Sequence, residues 1–230
     1  MSGRKRVAVL ASGGGSNLQA VLDHLAALGD RRAADVVLVV AGRETAGALA
    51  RARRAGVATA VATPGSLAGV LDAQAIDLVV LAGYLSFVPA VVTERWAGRI
   101  INVHPALLPS FGGHGLYGLR VHRAVLDAGA RVSGATVHFV DAEYDRGPII
   151  AQWPVPVAAG DTPESLAARV LRIEHLLLPR AVDALARGAV ALGADGRVCG
   201  GVTAAPADAF SLHLPDDPSL VAEIDALFPA

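Results

Sequence analysis

The chain has 230 residues, 53% of them hydrophobic but only 4% aromatic and 18% charged, with 25 glycines. That length holds one large domain with a substantial core, and the composition stays clear of the extremes that mark disorder or membrane spans. Its 20 basic and 21 acidic residues leave a net charge of −1, so no bulk field draws a polyanion such as tRNA, and nucleic acid is not an expected partner. The single cysteine, Cys199, excludes an internal disulfide and a cysteine-rich metal site. No apolar stretch approaches the ~20 residues of a membrane helix. The run Val7 to Ala11 after the basic opening is too short for a signal segment. A cytoplasmic location is expected, with no membrane partner.

Val7-Ala-Val-Leu-Ala is a short apolar run ending in Ser12-Gly-Gly-Gly-Ser-Asn17, and Leu18 to Leu28 has helical spacing that stops at Gly29. This is strand, glycine turn, helix. The unit recurs. Val36–Val40, Val57–Val61, Asp77–Ala82 and Arg99–Val103 read as further strands. Gly47–Ala55, a short segment between Pro64 and Ala75, and Pro89–Ala97 read as the intervening helices. This alternation predicts an α/β fold: a Rossmann-like, doubly wound, mostly parallel central sheet with helices on both faces.

After His104 the grammar changes. A Gly/Pro-rich loop runs from Pro105 to Gly118 and is followed by a helix to Ala128. Ala135–Val140 and Ile149–Trp153 lie too close together for a crossover helix, so they read as an antiparallel pair. A long helix starts at Thr162-Pro-Glu-Ser, where Thr162 is the N-cap, and Pro179 should kink or divide it. Val190 to Val202, turning at Ala194-Asp-Gly, reads as a terminal hairpin and completes an antiparallel C-terminal extension. The expected organisation is one domain over 1–202, with a seam near residue 101 and a tail over 203–230.

Three segments carry chemistry. Ser12-Gly-Gly-Gly-Ser-Asn17 lets backbone amides approach an anion at a helix N-terminus. Leu18 occupies the place of the third dinucleotide-fingerprint glycine and the Walker lysine is absent, so a single terminal phosphate fits better than NAD or a nucleoside triphosphate. A tight strand-to-helix turn explains the glycines equally well. Asn102-Val-His104-Pro105 stands at the C-terminal end of the fifth strand, where ligands of open α/β sheets gather. Residues two apart on a strand point the same way, and an amide donor beside an imidazole suits an oxyanion developing on a carbonyl carbon. Asp141-Ala-Glu-Tyr-Asp145-Arg-Gly-Pro148 offers three carboxylates between two strands. Clustered acids in a turn are commonly just solvated, but one of the three can face a histidine, raise its pKa and relay protons. Spacing alone does not choose among them. The loop has no histidine at ligand spacing, so no metal site is expected.

Gly15-Ser-Asn-Leu-Gln, Asp77-Leu-Val-Val-Leu-Ala-Gly-Tyr, Ile101-Asn-Val-His-Pro-Ala-Leu-Leu-Pro and Val137-His-Phe-Val…Tyr-Asp-Arg-Gly-Pro-Ile-Ile occur in the order of the phosphoribosylglycinamide (glycinamide ribonucleotide) formyltransferase family. The chain resembles that family from about Val7 to Arg187. The resemblance implies formyl transfer from 10-formyltetrahydrofolate, as cosubstrate, to the glycinamide amine of 5-phosphoribosylglycinamide in purine biosynthesis. It implies that Asn102 and protonated His104 meet the oxyanion, and that Asp145 orients and charges His104 and helps pass the amine proton to the folate nitrogen. By the same resemblance Gly15, Ser16 and Asn17 hold the substrate phosphate, and Glu174 contacts the ribonucleotide. Tyr84, Leu85, Ser86, Phe87 and Val88 with Asp141, Ala142, Glu143 and Tyr144 line the folate pocket. The 1–101 half then binds phosphate, and the 102–202 half carries catalysis and folate. A monomer or homodimer is expected.

Three departures bear on folate and ribose contacts. Ser86 stands where many members carry arginine, the Pro64–Ala75 helix is short and lacks a folate-binding arginine, and the loop after Pro109 is longer than the commonest form. His114, His122 and His138 read as structural or solvated. Methionyl-tRNA formyltransferase shares the Asn-x-His core, but resembling it fully needs a further C-terminal domain and a basic surface. A formyltetrahydrofolate hydrolase of the usual kind carries an N-terminal regulatory domain. A non-catalytic nucleotide- or folate-binding module accounts for the glycine loop but not for Asn102, His104 and Asp145 together.

Overall fold

The computed structural model describes residues 3–200 together with 222, 223 and 226. The first strand, β1 (Lys5–Leu10), shows why the strands are apolar throughout. Val7 and Val9 enter one core while Ala8 and Leu10 enter another, and a strand covered on both faces has no polar side. β2 (Ala34–Ala41) and β4 (Leu78–Leu81) divide in the same way, with Val39 and Val80 in the first core and Val40 and Val79 in the second.

With β3 (Ala58–Val61), β5 (Ile100–His104), β6 (Val132–Phe139) and β7 (Ile149–Pro156), the sheet has seven strands in the order β3-β2-β1-β4-β5-β6-β7. The first five are parallel, while β6 and β7 run antiparallel to their neighbours. The chain winds outward from β1 to β3 and then crosses to β4, so the order reverses between β1 and β4. That switch point, at the carboxyl ends of the strands, is where such sheets open a crevice. Helices α1 (Ser16–Leu28), α2 (Gly47–Arg54) and α6 (Pro163–Arg187) pack on one face, and α3 (Leu67–Ala73) and α4 (Ala90–Arg95) on the other. α5 (Leu119–Asp127) adds Val125 to the first core.

The expected α/β fold is therefore present. The segment after Pro64 is a 3-10 turn over Pro64–Ser66 leading into α3. Pro179 does not divide its helix, and α6 runs unbroken through it for 25 residues. An interior proline costs about 3 kcal/mol. The adjoining Leu177, Leu178, Ala181 and Val182 are all 0% exposed, and burying each such side chain returns about 1.5–3 kcal/mol. Thr162 caps α6 as expected, accepting from the Ser165 amide at 3.2 Å. The terminal hairpin is β8 (Ala191–Leu192) against β9 (Val198–Cys199); its last two expected residues and most of the 203–230 tail lie outside the described residues. Among the described residues no helix is long and apolar enough to cross a membrane.

The β5–β6 part of the sheet differs from the rest. Ala135, Val137 and Phe139 of β6 face α6 and are 1% exposed or less. The alternate residues Thr136 and His138 face the other way, opposite His104 and Asn102. The Pro105–Gly118 loop lies there instead of a helix, and it brings backbone groups that need partners. Thr136 Oγ1 donates to the Ala106 carbonyl at 2.6 Å and accepts from the Leu108 amide at 3.0 Å, while Gln152 Nε2 donates to the Leu108 carbonyl at 2.8 Å. One face of β5 and β6 is thus polar by construction.

Candidate active site

Asn102, His104 and His138 stand on that polar face and Asp145 reaches them from the β6–β7 loop. Asn102 Nδ2 lies 3.1 Å from His138 Nε2. His104 Nδ1 lies 3.5 Å from Asp145 Oδ2, and His138 Nε2 lies 3.6 Å from Asp145 Oδ1. The carbonyls decide the tautomers. His138 Nδ1 is 2.7 Å from the Phe139 carbonyl and must donate, which leaves Nε2 to accept from Asn102. His104 Nε2 is 2.9 Å from the Phe111 carbonyl and donates there, so a neutral His104 presents a bare Nδ1 to Asp145.

The structure separates the three acids that spacing leaves equivalent. Asp141 and Glu143 are exposed, and Asp141 Oδ1 only closes a local turn by accepting the Glu143 amide. Asp145 is turned inward with φ +55, a left-handed conformation that aspartate tolerates better than most residues. The turn after it needs Gly147, where a Cβ would stand 1.9 Å from the Phe139 carbonyl oxygen. Burial pushes the Asp145 pKa up, but the His138 and His104 imidazoles beside it and the Gly113 amide (2.9 Å) outweigh that, and the carboxyl lies below its usual value. Asp145 raises the His104 pKa as expected, but it does not set the net direction. Burial is the larger effect and the imidazole lies below its ordinary value, neutral in the free protein.

The glycine loop closes the other end. Gly15 has φ +77, and a Cβ there would meet the Ala48 Cα at 2.7 Å, so the α1–α2 approach demands glycine. The Gly13 carbonyl accepts from the Ala48 amide at 3.1 Å and the Gly14 carbonyl from Arg51 Nε at 2.8 Å. In a trans peptide the next N–H points opposite, so the amides of Gly14 and Gly15 are turned away from α2. Ser12 and Gly13 line a cavity of about 550 Å³, whereas Gly15, Ser16 and Asn17 lie behind its wall. Asn17 is buried and its Nδ2 donates to Glu174 Oε2 at 2.6 Å. One Nδ2 hydrogen of its side chain is thus committed to Glu174. Glu174, on the cavity wall, is pushed up to about 7 by burial, which the Asn17 hydrogen bond only partly offsets.

Tyr84, Leu85, Ser86, Phe87 and Val88 line the cavity with Asp141, Glu143 and Tyr144, Ala142 does not, and the Leu85 amide ties this segment to the glycine loop by donating to Ser12 Oγ at 2.9 Å. Tyr144 meets Phe87 with ring centroids 5.3 Å apart and His114 edge-on at 5.6 Å, so three loops converge in one aromatic contact at the rim. His138 and His122, read from the sequence as structural, both line the cavity. The signal for His138 was present: strand alternation across an antiparallel β5–β6 pair puts it beside Asn102. His122 had no such signal, because α5 meets the cavity only through tertiary packing.

A doubly wound sheet with an ionised carboxylate held between two imidazoles at the strand ends defines an α/β enzyme built for proton transfer on a small substrate. Residues 5–182 match the formyl transferase family. The chain is 44% identical over 204 residues to a chloroplastic phosphoribosylglycinamide formyltransferase of Arabidopsis thaliana, covering 84% of this chain and 69% of that one. It is 40% identical to a trifunctional purine biosynthetic protein of Bos taurus, covering 85% of this chain but only 20% of that much longer one. The crystal structure of phosphoribosylglycinamide formyltransferase from Anaplasma phagocytophilum superposes with a TM-score of 0.79 at 35% identity, covering 88% of this chain and 96% of that one. The chain belongs to the formyl transferase family, in its phosphoribosylglycinamide formyltransferase branch.

Proposed function

We propose that the chain transfers the formyl group of 10-formyltetrahydrofolate to the glycinamide amine of 5-phosphoribosylglycinamide, a step of purine biosynthesis. The observation that carries this reading is the meeting of Asn102, His104 and Asp145, with His138 between Asn102 and Asp145, on the wall of one cavity. The same cavity is lined by Ser12 and Gly13 of the glycine loop, by the buried Glu174 and by an aromatic, loop-built rim. The phosphate and ribose of the acceptor fit beside the glycine loop, held by the Gly15–Asn17 amides and by Glu174, and the folate fits the aromatic rim. Small molecules are the partners, and a cytoplasmic location is part of the proposal.

In the reaction, the neutral amine attacks the formyl carbon and negative charge gathers on the formyl oxygen. Asn102 has a second Nδ2 hydrogen to give it, since only one is used by His138. The Nε2–H of His104, held by the Phe111 carbonyl in the free protein, turns to the same oxygen. The bare Nδ1 of His104 takes the proton shed by the amine, and ionised Asp145 at 3.5 Å stabilises the imidazolium. His104 is therefore charged as the oxyanion appears rather than beforehand. The proton then passes to the folate nitrogen as the carbon–nitrogen bond to it breaks.

Following formyl loss from 10-formyltetrahydrofolate with and without 5-phosphoribosylglycinamide tests the reading. Loss that requires the amine and yields formylated acceptor is expected. Loss without the acceptor makes the chain a hydrolase, and no loss in either case leaves a binding module.

A further inference from the structure

We propose that His122 contacts the acceptor amine directly, accepting one of its hydrogens and so aiming its lone pair at the formyl carbon. This deepens the formyl-transfer reading and rests on it. His122 is 3% exposed, lines the cavity from α5, and has no hydrogen bond at either ring nitrogen among the described residues; its Nδ1 is wholly buried. A neutral imidazole carries one donor and one acceptor, and buried polar groups without partners are rare and costly. The other polar groups of this stretch are spoken for. Asn102 binds His138, His104 binds Phe111, Asp145 accepts from Gly113, and Glu174 accepts from Asn17. Of the two ring nitrogens Nε2 is the one not sealed off, and it is open to what enters the cavity.

Position says which molecule that is. Ala167, Ala168, Leu171 and Glu174 of α6 line the cavity, and α5 packs on α6. His122 is also close enough to His104 for that imidazole to disfavour its charge. It thus stands near the imidazole beside the formyl carbon, on a helix packed against the one that carries Glu174, in the cavity the glycinamide arm must enter. Its own pKa is pushed down to about 4 by burial first and His104 second. It stays neutral where the amine must also be neutral, and takes part as a hydrogen-bond acceptor without stripping the proton.

The test compares the wild type with His122→Phe, which keeps a ring of similar size without nitrogens, and with His122→Asn, which restores a polar atom. Formyl transfer is measured against each substrate in turn, with thermal melting as the check on folding. His122→Phe should lower kcat/KM for 5-phosphoribosylglycinamide about ten- to hundredfold. The KM for 10-formyltetrahydrofolate should stay within about twofold, and His122→Asn should recover part of the loss. A His122→Phe enzyme within twofold of wild type, or equal losses toward both substrates in well-folded variants, overturns the proposal. If His122→Phe does not fold, a folded His122→Asn with wild-type kinetics for the acceptor overturns it too. A wild-type chain that transfers nothing would instead sink the formyl-transfer reading beneath it.

Discussion

The cavity holds two inward-facing carboxylates, Glu174 buried and Asp145 partly buried, in opposite states. Asp145, at the β5–β6 corner, lies below its ordinary pKa, while Glu174, on the α1–α6 wall, is pushed up to about 7. Burial acts in the same direction on both. The difference lies in depth and surroundings: Asp145 is only partly buried, with the Gly113 amide and two imidazoles around it, and the buried Glu174 has, among the described residues, a single amide from Asn17. How deep a carboxylate lies and which donors accompany it decide its charge there. The corner therefore offers a fixed anion to the proton path. The wall offers a group near its titration point, able to meet ribose hydroxyls as donor or acceptor.

The largest expected effect comes from removing the corner's charge. Asp145→Asn keeps an oxygen for the Gly113 amide but leaves the His104 imidazolium without an anion, and kcat should fall by at least about 10²–10³-fold. Asn102→Ala should cost a similar ~10²–10³ through loss of an oxyanion donor. Both should melt near the wild-type temperature. Near-native turnover in either variant removes that residue from the mechanism.

The wall is probed by pH. A folded pKa of about 7 for Glu174, against an ordinary value of 4.5, means that the folded state holds a proton the unfolded state releases between those pH values. The associated stability is fully present below about pH 4.5 and is lost as pH rises through 7, a change on the order of 3 kcal/mol at most. Glu174→Gln should remove this dependence: urea midpoints measured at pH 5 and pH 8 should differ less in the variant. An unchanged pH dependence in Glu174→Gln would show that Glu174 titrates normally, and the contrast with Asp145 would collapse.

The corner should also be the less forgiving region of backbone. At Gly147 an added Cβ would lie 1.9 Å from the Phe139 carbonyl oxygen, a main-chain atom with nowhere to move. Gly147→Ala should cost about 1–3 kcal/mol in denaturant unfolding. It should lower kcat as well, because the Asp145 carboxylate is aimed by that turn.

Parts of this comparison are legible in the sequence. Period-two alternation makes Asn102 and His104 neighbours on a strand end, and the Thr162-Pro pair marks the start of α6. The alternating strand and helix runs give the doubly wound sheet. Asp145 is not separable from Asp141 and Glu143 by spacing, because its inward turn depends on a positive φ and on the Gly113 amide from a loop 32 residues away. The state of Glu174 is equally hidden, since its only donor lies 157 residues earlier, on α1. The sequence alone also overstates Pro179, whose local cost is outweighed by packing that only the folded helix reveals.

The smallest effect tests whether the wall tolerates what the corner does not. Thr162 caps α6 by accepting the Ser165 amide, while Ser165 Oγ accepts the Thr162 amide at 3.0 Å. Thr162→Ala removes the first of these bonds, and such cap losses typically cost about 1 kcal/mol. Glu174 lies about three helical turns further along α6. Between the two, Leu166, Val170 and Ile173 are each 0% exposed, so fraying of the first turn should stop before it reaches the cavity. The urea midpoint should therefore fall slightly while kcat, the acceptor KM and the pH dependence assigned to Glu174 stay as in the wild type. A change in acceptor KM on removing this distant cap would mean that α6 moves as one body. The wall would then be as tightly coupled to its ends as Asp145 is to Gly147.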